Sequence, residues 1–197
     1  MTTATIVDGG DQVVTVLTLL LIPICLLDRR RNHWHVNTYQ HNASLRLVAY
    51  STLVVIKIQV AYIYFQACVS KFSVSEWADG TAVYYWFLNP MFGVTTDTQP
   101  IFVWVLSKPV PVTVLTWGAL FVEFLIFAVF TLKENHPLKR YVFLLGIAFH
   151  FVIMLIHGLV SFFFSMAGAL IIYLLPSHTT MPFKRDSTSK VKHDEWS

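Results

Sequence analysis

Residues 57–86 read KIQVAYIYFQACVSKFSVSEWADGTAVYYW. The first half belongs to an apolar run long enough to cross a bilayer, yet it holds Lys57, Gln59, Tyr62, Tyr64, Gln66 and Lys71. It then breaks into an aromatic segment carrying Trp77, Asp79 and Gly80. Hydrocarbon can be spanned without any of these groups, and a charged side chain there is costly, so each requires a partner or a task. The stretch points to a helix that crosses a membrane with polar groups built into the crossing.

The rest of the chain agrees. Its 197 residues are 55% hydrophobic and 15% aromatic, and only 13% are charged, against about 25% in soluble domains. Mean hydropathy is +0.59. The charges cluster in gaps between long apolar runs, which is the pattern of a polytopic membrane protein. The net charge of +3 therefore reads as topology and not as a nucleic-acid surface. Cys25 and Cys68 lie in apolar runs with no CxxC spacing, so they read as packing residues rather than a disulfide or redox pair.

Five spans are expected: 12–27, 45–72, 109–132, 141–159 and 160–175. The first, at about 1.5 Å per residue, covers about 24 Å and falls short of a roughly 30 Å core. Pro23 weakens it further, so either the span tilts in a thin local bilayer or preceding sequence that would pack against it is missing. Pro109 and Pro111 suit a helix start, and Pro176 ends the last span. Between the second and third spans, segment 73–108 carries YYWF and FVWVL and reads as an aromatic interfacial or re-entrant element. The expected architecture is an all-α transmembrane bundle over residues 1–176, followed by a disordered tail at 177–197.

Orientation follows from charge. Eleven of the fourteen basic residues (among them Arg29–Arg31, Arg46, Lys133, Lys139, Arg140 and the four of the tail) fall on one side of a five-span path. The positive-inside rule makes that side cytoplasmic, with the N-terminus outside and the C-terminus inside. The polar loop 28–44 holds His33, His35 and His41, but no cysteine or acidic cluster accompanies them, so a solvated loop is expected and no metal site. Asn42-Ala43-Ser44 fits a glycosylation sequon on the wrong side of the membrane for that use.

Ionisable groups in or near the spans are Lys57, Lys71, Glu123, His150 and His157. Counting depth from the helix ends gives two polar layers. The inner one joins Lys57 to Glu123, with His150 nearby, and the outer one joins Lys71, His157, Tyr64, Trp77 and Asp79. A Lys57–Glu123 pair would relieve the cost of an isolated charge and is equally a structural ion pair. Lys71 is then left without an acidic partner in the spans. It is either a lysine snorkelling at a helix end or, desolvated at an aromatic boundary, a general base for a weakly acidic phenol or quinol. His150 and His157 read equally as hydrogen-bonded core histidines.

The motif Tyr64-Phe65-x-Ala67-x-x-x-Lys71-Phe72, followed by Trp77-x-Asp79-Gly80, resembles the HTTM superfamily, which includes the vitamin K-dependent gamma-carboxylases. It is closest to the bacterial branch typified by the sporulation-delaying protein SdpB, a resemblance that the DRRRNHW loop and the GIAFHFVIMLIHG segment share. The resemblance implies a bacterial inner-membrane protein supporting maturation or production of a secreted antimicrobial peptide. Its partners would be a toxin precursor and a companion maturation protein. It also implies an alternative: a carboxylase-like or DoxX-like redox enzyme that takes a quinone or quinol and uses Lys71 as its base, with Tyr64 and His157 as further catalytic candidates. The chain departs from the pattern at Cys68, where Gly is usual, and at Phe72, where Leu is usual, and it lacks a lumenal β domain. A purely structural membrane subunit is the third reading.

Overall fold

The computed structural model describes residues 9–27, 43–90 and 93–176. The histidine-bearing loop, the sequon's Asn42 and the tail from 177 lie outside the described residues. The chain runs α1 (Gly9–Leu27), α2 (Ala43–Lys71), α3 (Ser75–Ala78), α4 (Ala82–Phe87), α5 (Gln99–Leu106), α6 (Pro109–Ala128), a 3-10 turn (Val129–Thr131), α7 (Pro137–His157) and α8 (Val160–Leu174).

Four helices are long and apolar enough to cross a membrane: α1, α2, α6 continued through its 3-10 turn, and α7. The expected fifth span, α8, has 15 residues and covers about 22 Å. The first helix is longer than its apolar run implied. It has 19 residues, with Asp11 in its first turn where the helix dipole favours an acid. Pro23 lies inside α1 without ending it, since neighbouring helices can offset a proline in a membrane-spanning helix. The shortness expected of this span is thereby corrected.

The five long helices close into a ring. The α2 helix packs on α1 and α6, α7 on α6 and α8, and α8 returns to α1, while α2 also touches α8 across the middle. Each contributes one buried stripe at helical spacing. On α2 it is Thr52, Ile56, Val60, Tyr64 and Cys68; on α6, Val112, Thr116, Leu120, Glu123 and Ile126; on α7, Lys139, Val142, Gly146 and His150. The outer faces stay apolar, with Ile58, Tyr62, Val69, Phe121, Phe124, Leu144 and Leu155 exposed, as lipid contact requires. Apolarity all round a helix hides which face is inside, so the buried stripe had to come from tertiary contacts.

Segment 73–108, expected as an interfacial or re-entrant element, holds three short helices among its described residues. The short helices α4 and α5 stack on the N-terminal half of α6, around a cluster of Val83, Phe87, Leu106 and Val112. The Val83 N–H donates to Thr116 Oγ1 at 3.2 Å, fastening α4 to α6. Deeper in the bundle, Tyr173 of α8 donates to the Ile126 carbonyl at 3.0 Å. The α7–α8 turn uses Gly158 at φ 69°, whose N–H donates to Met154 O at 2.8 Å. This left-handed position suits a residue without Cβ.

Candidate functional site

The stagger of α2 and α6 sets which charges meet. Cys68 Sγ lies 3.6 Å from the Leu120 carbonyl, so α6 begins about eight residues, or about 12 Å, beyond the end of α2. Depth counted from the two helix ends is therefore wrong by about two turns. Side chains on a helix also lean toward its N-terminus, which carries the Lys71 head down into the bundle and the Lys57 head toward the opposite end.

The consequence is a different pairing from the one expected. Lys71 donates to Glu123 Oε1, and Lys57 donates to Glu134 in the α6–α7 loop. Lys71 is not a snorkelling lysine without an acidic partner, and Lys57 and Glu123 are not a pair. The side chains of Lys71 and Glu123 are 24% and 10% exposed, and those of Lys57 and Glu134 are 13% and 50%. The first pair is thus the enclosed one. It was illegible because the overhang of α6 is a tertiary property; the loop acid Glu134 could have been suspected from its charged neighbours in KENHPLKR.

Around the Lys71–Glu123 pair the structure gathers several of the expected residues. The Lys71 ammonium sits 5.0 Å from the centre of the Trp77 ring, a cation–π contact. Tyr64 Oη and His150 Nε2 are 2.7 Å apart, and both residues are buried. Glu123 acts electrostatically on Tyr64 and on Cys68, and Lys71 acts on His150. His150 is further walled by Phe149 and Phe162, ring centres 5.2 and 5.5 Å away. Lys71, Glu123, Tyr64 and His150 therefore form one polar cluster that joins α2, α6 and α7, instead of two layers.

Two polar atoms in this cluster, Glu123 Oε2 and His150 Nδ1, are buried with no hydrogen-bond partner among the described residues. Buried polar atoms are nearly always satisfied, so each such atom calls for an explanation. The cluster has spare acceptor capacity at the carboxylate. At the imidazole, Nδ1 is an unused donor when Nε2 accepts from Tyr64, and an unused acceptor when Nε2 donates. Such a site can hold and exchange protons away from bulk water.

The remaining motif residues serve the support around Lys71. Asp79 Oδ1 accepts from Thr81 N at 3.1 Å and from Thr81 Oγ1 at 2.6 Å, closing the turn between α3 and α4. Gly80 has φ 85° and is packed tightly against Thr113 and Trp117 of α6. Together they hold Trp77 over Lys71. His157 packs edge-on against Phe87, ring centres 5.5 Å apart, within the outer helices. Cys68 is buried and Cys25 exposed, and both are free thiols.

Comparison with known proteins gives two relatives, both from Bacillus subtilis (strain 168). The chain is 39% identical to the sporulation-delaying protein SdpB over 176 residues, which is 89% of this chain and 54% of SdpB. It is 37% identical to the uncharacterized protein YitO over 179 residues, which is 90% of this chain and 57% of YitO. The chain thus spans just over half the length of the curated relatives it matches. No family model matches it, so the HTTM resemblance rests on the motif residues alone. No solved structure matches it significantly. The chain is a multi-pass helical membrane protein related by sequence to SdpB and YitO.

Proposed function

We propose that this chain works as SdpB-type membrane machinery, supporting production or maturation of a secreted antimicrobial peptide, with the Lys71–Glu123 cluster as its working centre. The observation that carries the reading is the enclosed ion pair beneath Trp77, beside the Tyr64–His150 hydrogen bond. An intramembrane ionisable group is a functional site by default, and this one brings a base, an acid and two relay groups together. The toxin precursor and a companion maturation protein are the partners, and the bacterial inner membrane is the place.

The test is toxin output from cells carrying Lys71→Ala or Lys71→Arg at matched protein level. Both variants are expected to lose output by tenfold or more, on the order of 1.4 kcal/mol or beyond. Arginine keeps the charge, but its planar, bulkier guanidinium cannot reproduce the point contact of the Lys71 ammonium with Glu123 beneath Trp77. Unchanged output from both variants would sink the assignment of Lys71.

A second reading rests on the Trp77 ring, which provides a flat aromatic wall beside the Lys71 amine. A quinol bound there would supply electrons. Lys71 would hold its hydroxyl, and Glu123, with a carboxylate oxygen to spare, would hold the proton. Lipid extracts of the purified protein are expected to contain quinone that disappears in Lys71→Ala; an extract free of quinone counts against this reading.

The proposed orientation places the N-terminus outside and the C-terminus in the cytoplasm, so segment 73–108 faces outward. A phosphatase reporter fused after Asp97 is expected to be active there and a fluorescent cytoplasmic reporter dark. The reverse pattern would invert the topology.

A further inference from the structure

At the other end of the bundle from Trp77 lies a cavity of about 190 Å³ lined by Lys57, Lys139, Glu134, Tyr173, Phe130 and Leu132. Its charge does not balance. Glu134 is engaged by Lys57, and Lys139 is left over. Lys139 is only 6% exposed, and among the described residues no hydrogen bond or ion pair reaches its ammonium, although it feels both Lys57 and Glu134 electrostatically. It also stands in the first turn of α7, where the positive end of the helix dipole disfavours a cation and attracts an anion. The ammonium borders the cavity, where it is open to an anionic partner from outside the described residues.

A second hollow shows what kind of anion. Ile58, Ala61, Tyr62 and Phe65 of α2, with Phe127 and Phe130, line an apolar groove of about 280 Å³ on the lipid-facing side. Phe130 belongs to both hollows. From Ile58 to Phe65 the groove climbs about 10 Å along α2, as an acyl chain would. A free phosphate would use the cationic cavity and leave the groove unexplained, whereas a phospholipid uses both.

We propose that the Lys57–Lys139 cavity binds the phosphate of an anionic phospholipid whose acyl chain lies in the Phe130 groove. Lys139 and the helix terminus hold the phosphate, Lys57 is shared between it and Glu134, and the chain is clamped to the leaflet at the lysine-rich end. This assignment does not depend on the Lys71 cluster.

The test is native mass spectrometry of the full chain in micelles supplied with phosphatidylglycerol, with phosphatidylcholine, or with inorganic phosphate alone. Wild type is expected to retain phosphatidylglycerol over phosphatidylcholine, with inorganic phosphate displacing little of it. Lys139→Gln should retain roughly fivefold less phosphatidylglycerol, as expected for one lysine at an anionic headgroup, and Lys139→Arg should retain it. Glu134→Gln, at a half-exposed position, frees Lys57 and should raise retention, which keeps the test informative if Lys139→Gln folds poorly. Equal retention of the two lipids would overturn the proposal. So would full displacement by inorganic phosphate, wild-type retention in Lys139→Gln, or no gain in Glu134→Gln.

Discussion

Glu123→Leu is expected to destabilise the protein by about 3 kcal/mol, at the lower end of what breaking a buried pair costs. The substitution leaves the Lys71 ammonium facing the bundle interior without its carboxylate. The estimate sits at the lower end because the Lys71 side chain keeps 24% of its surface exposed and has the Trp77 face as a partial substitute. Lys71→Leu should be harmful for the complementary reason, since Glu123 would then have neither oxygen paired. The double variant Lys71→Leu/Glu123→Leu should recover most of the loss, because replacing both charges by apolar groups of similar volume is close to neutral. Thermal unfolding of the purified protein in micelles reads all three.

The same cycle separates function from packing. Under the proposed function, a double variant that is stable but yields no toxin makes the pair a working centre. One that is both stable and productive reduces the pair to a structural device. Additive losses with no recovery would show that the two side chains do not interact, and would overturn the geometry of the site.

Gly80→Ala is expected to cost about 2–5 kcal/mol, an effect of similar size. Two costs combine. A residue with a Cβ at φ 85° pays about 1–2 kcal/mol for the left-handed conformation. Its Cβ would also lie 3.0 Å from both Thr113 Cγ2 and Trp117 Nε1, and overpacking of this kind adds roughly 1–3 kcal/mol. The relief available is to lift the α3–α4 turn off α6, which moves Trp77 away from Lys71. Limited proteolysis should then cut within 73–108, and the thermal midpoint should fall. Wild-type protease resistance in Gly80→Ala would show that the turn is not clamped. Gly80→Asn, which tolerates a positive φ better, should fall between glycine and alanine only if strain outweighs contact.

These two positions show what could and could not be read ahead of the structure. Trp77, Asp79 and Gly80 stood out in the sequence as a polar-aromatic break after a long apolar helix. A turn containing glycine is a local feature with local causes. Lys71 stood out because a charge at an apolar boundary is costly wherever its neighbours lie. Its partner does not stand out, and counting depth from the helix ends matches Lys57 to the wrong acid. The same count puts Tyr64 and His150 in different layers, although their side chains are hydrogen-bonded.

Crossing helices, their number and their order are written in runs of apolar residues, because a helix satisfies its own backbone hydrogen bonds and needs no other part of the chain to form in lipid. The sequence by itself therefore determined a polytopic helical bundle, located its long helices to within a few residues, and marked the polar groups that need partners. Which of those groups meet depends on how far one helix is displaced along its neighbour. That displacement goes with α4 and the Gly80 turn packing on the first turns of α6, with Val83 bonded to Thr116 and Gly80 against Trp117. Only the tertiary structure could decide it. A shift of two turns leaves every apolar run as it was, yet exchanges one acid for another beside each lysine.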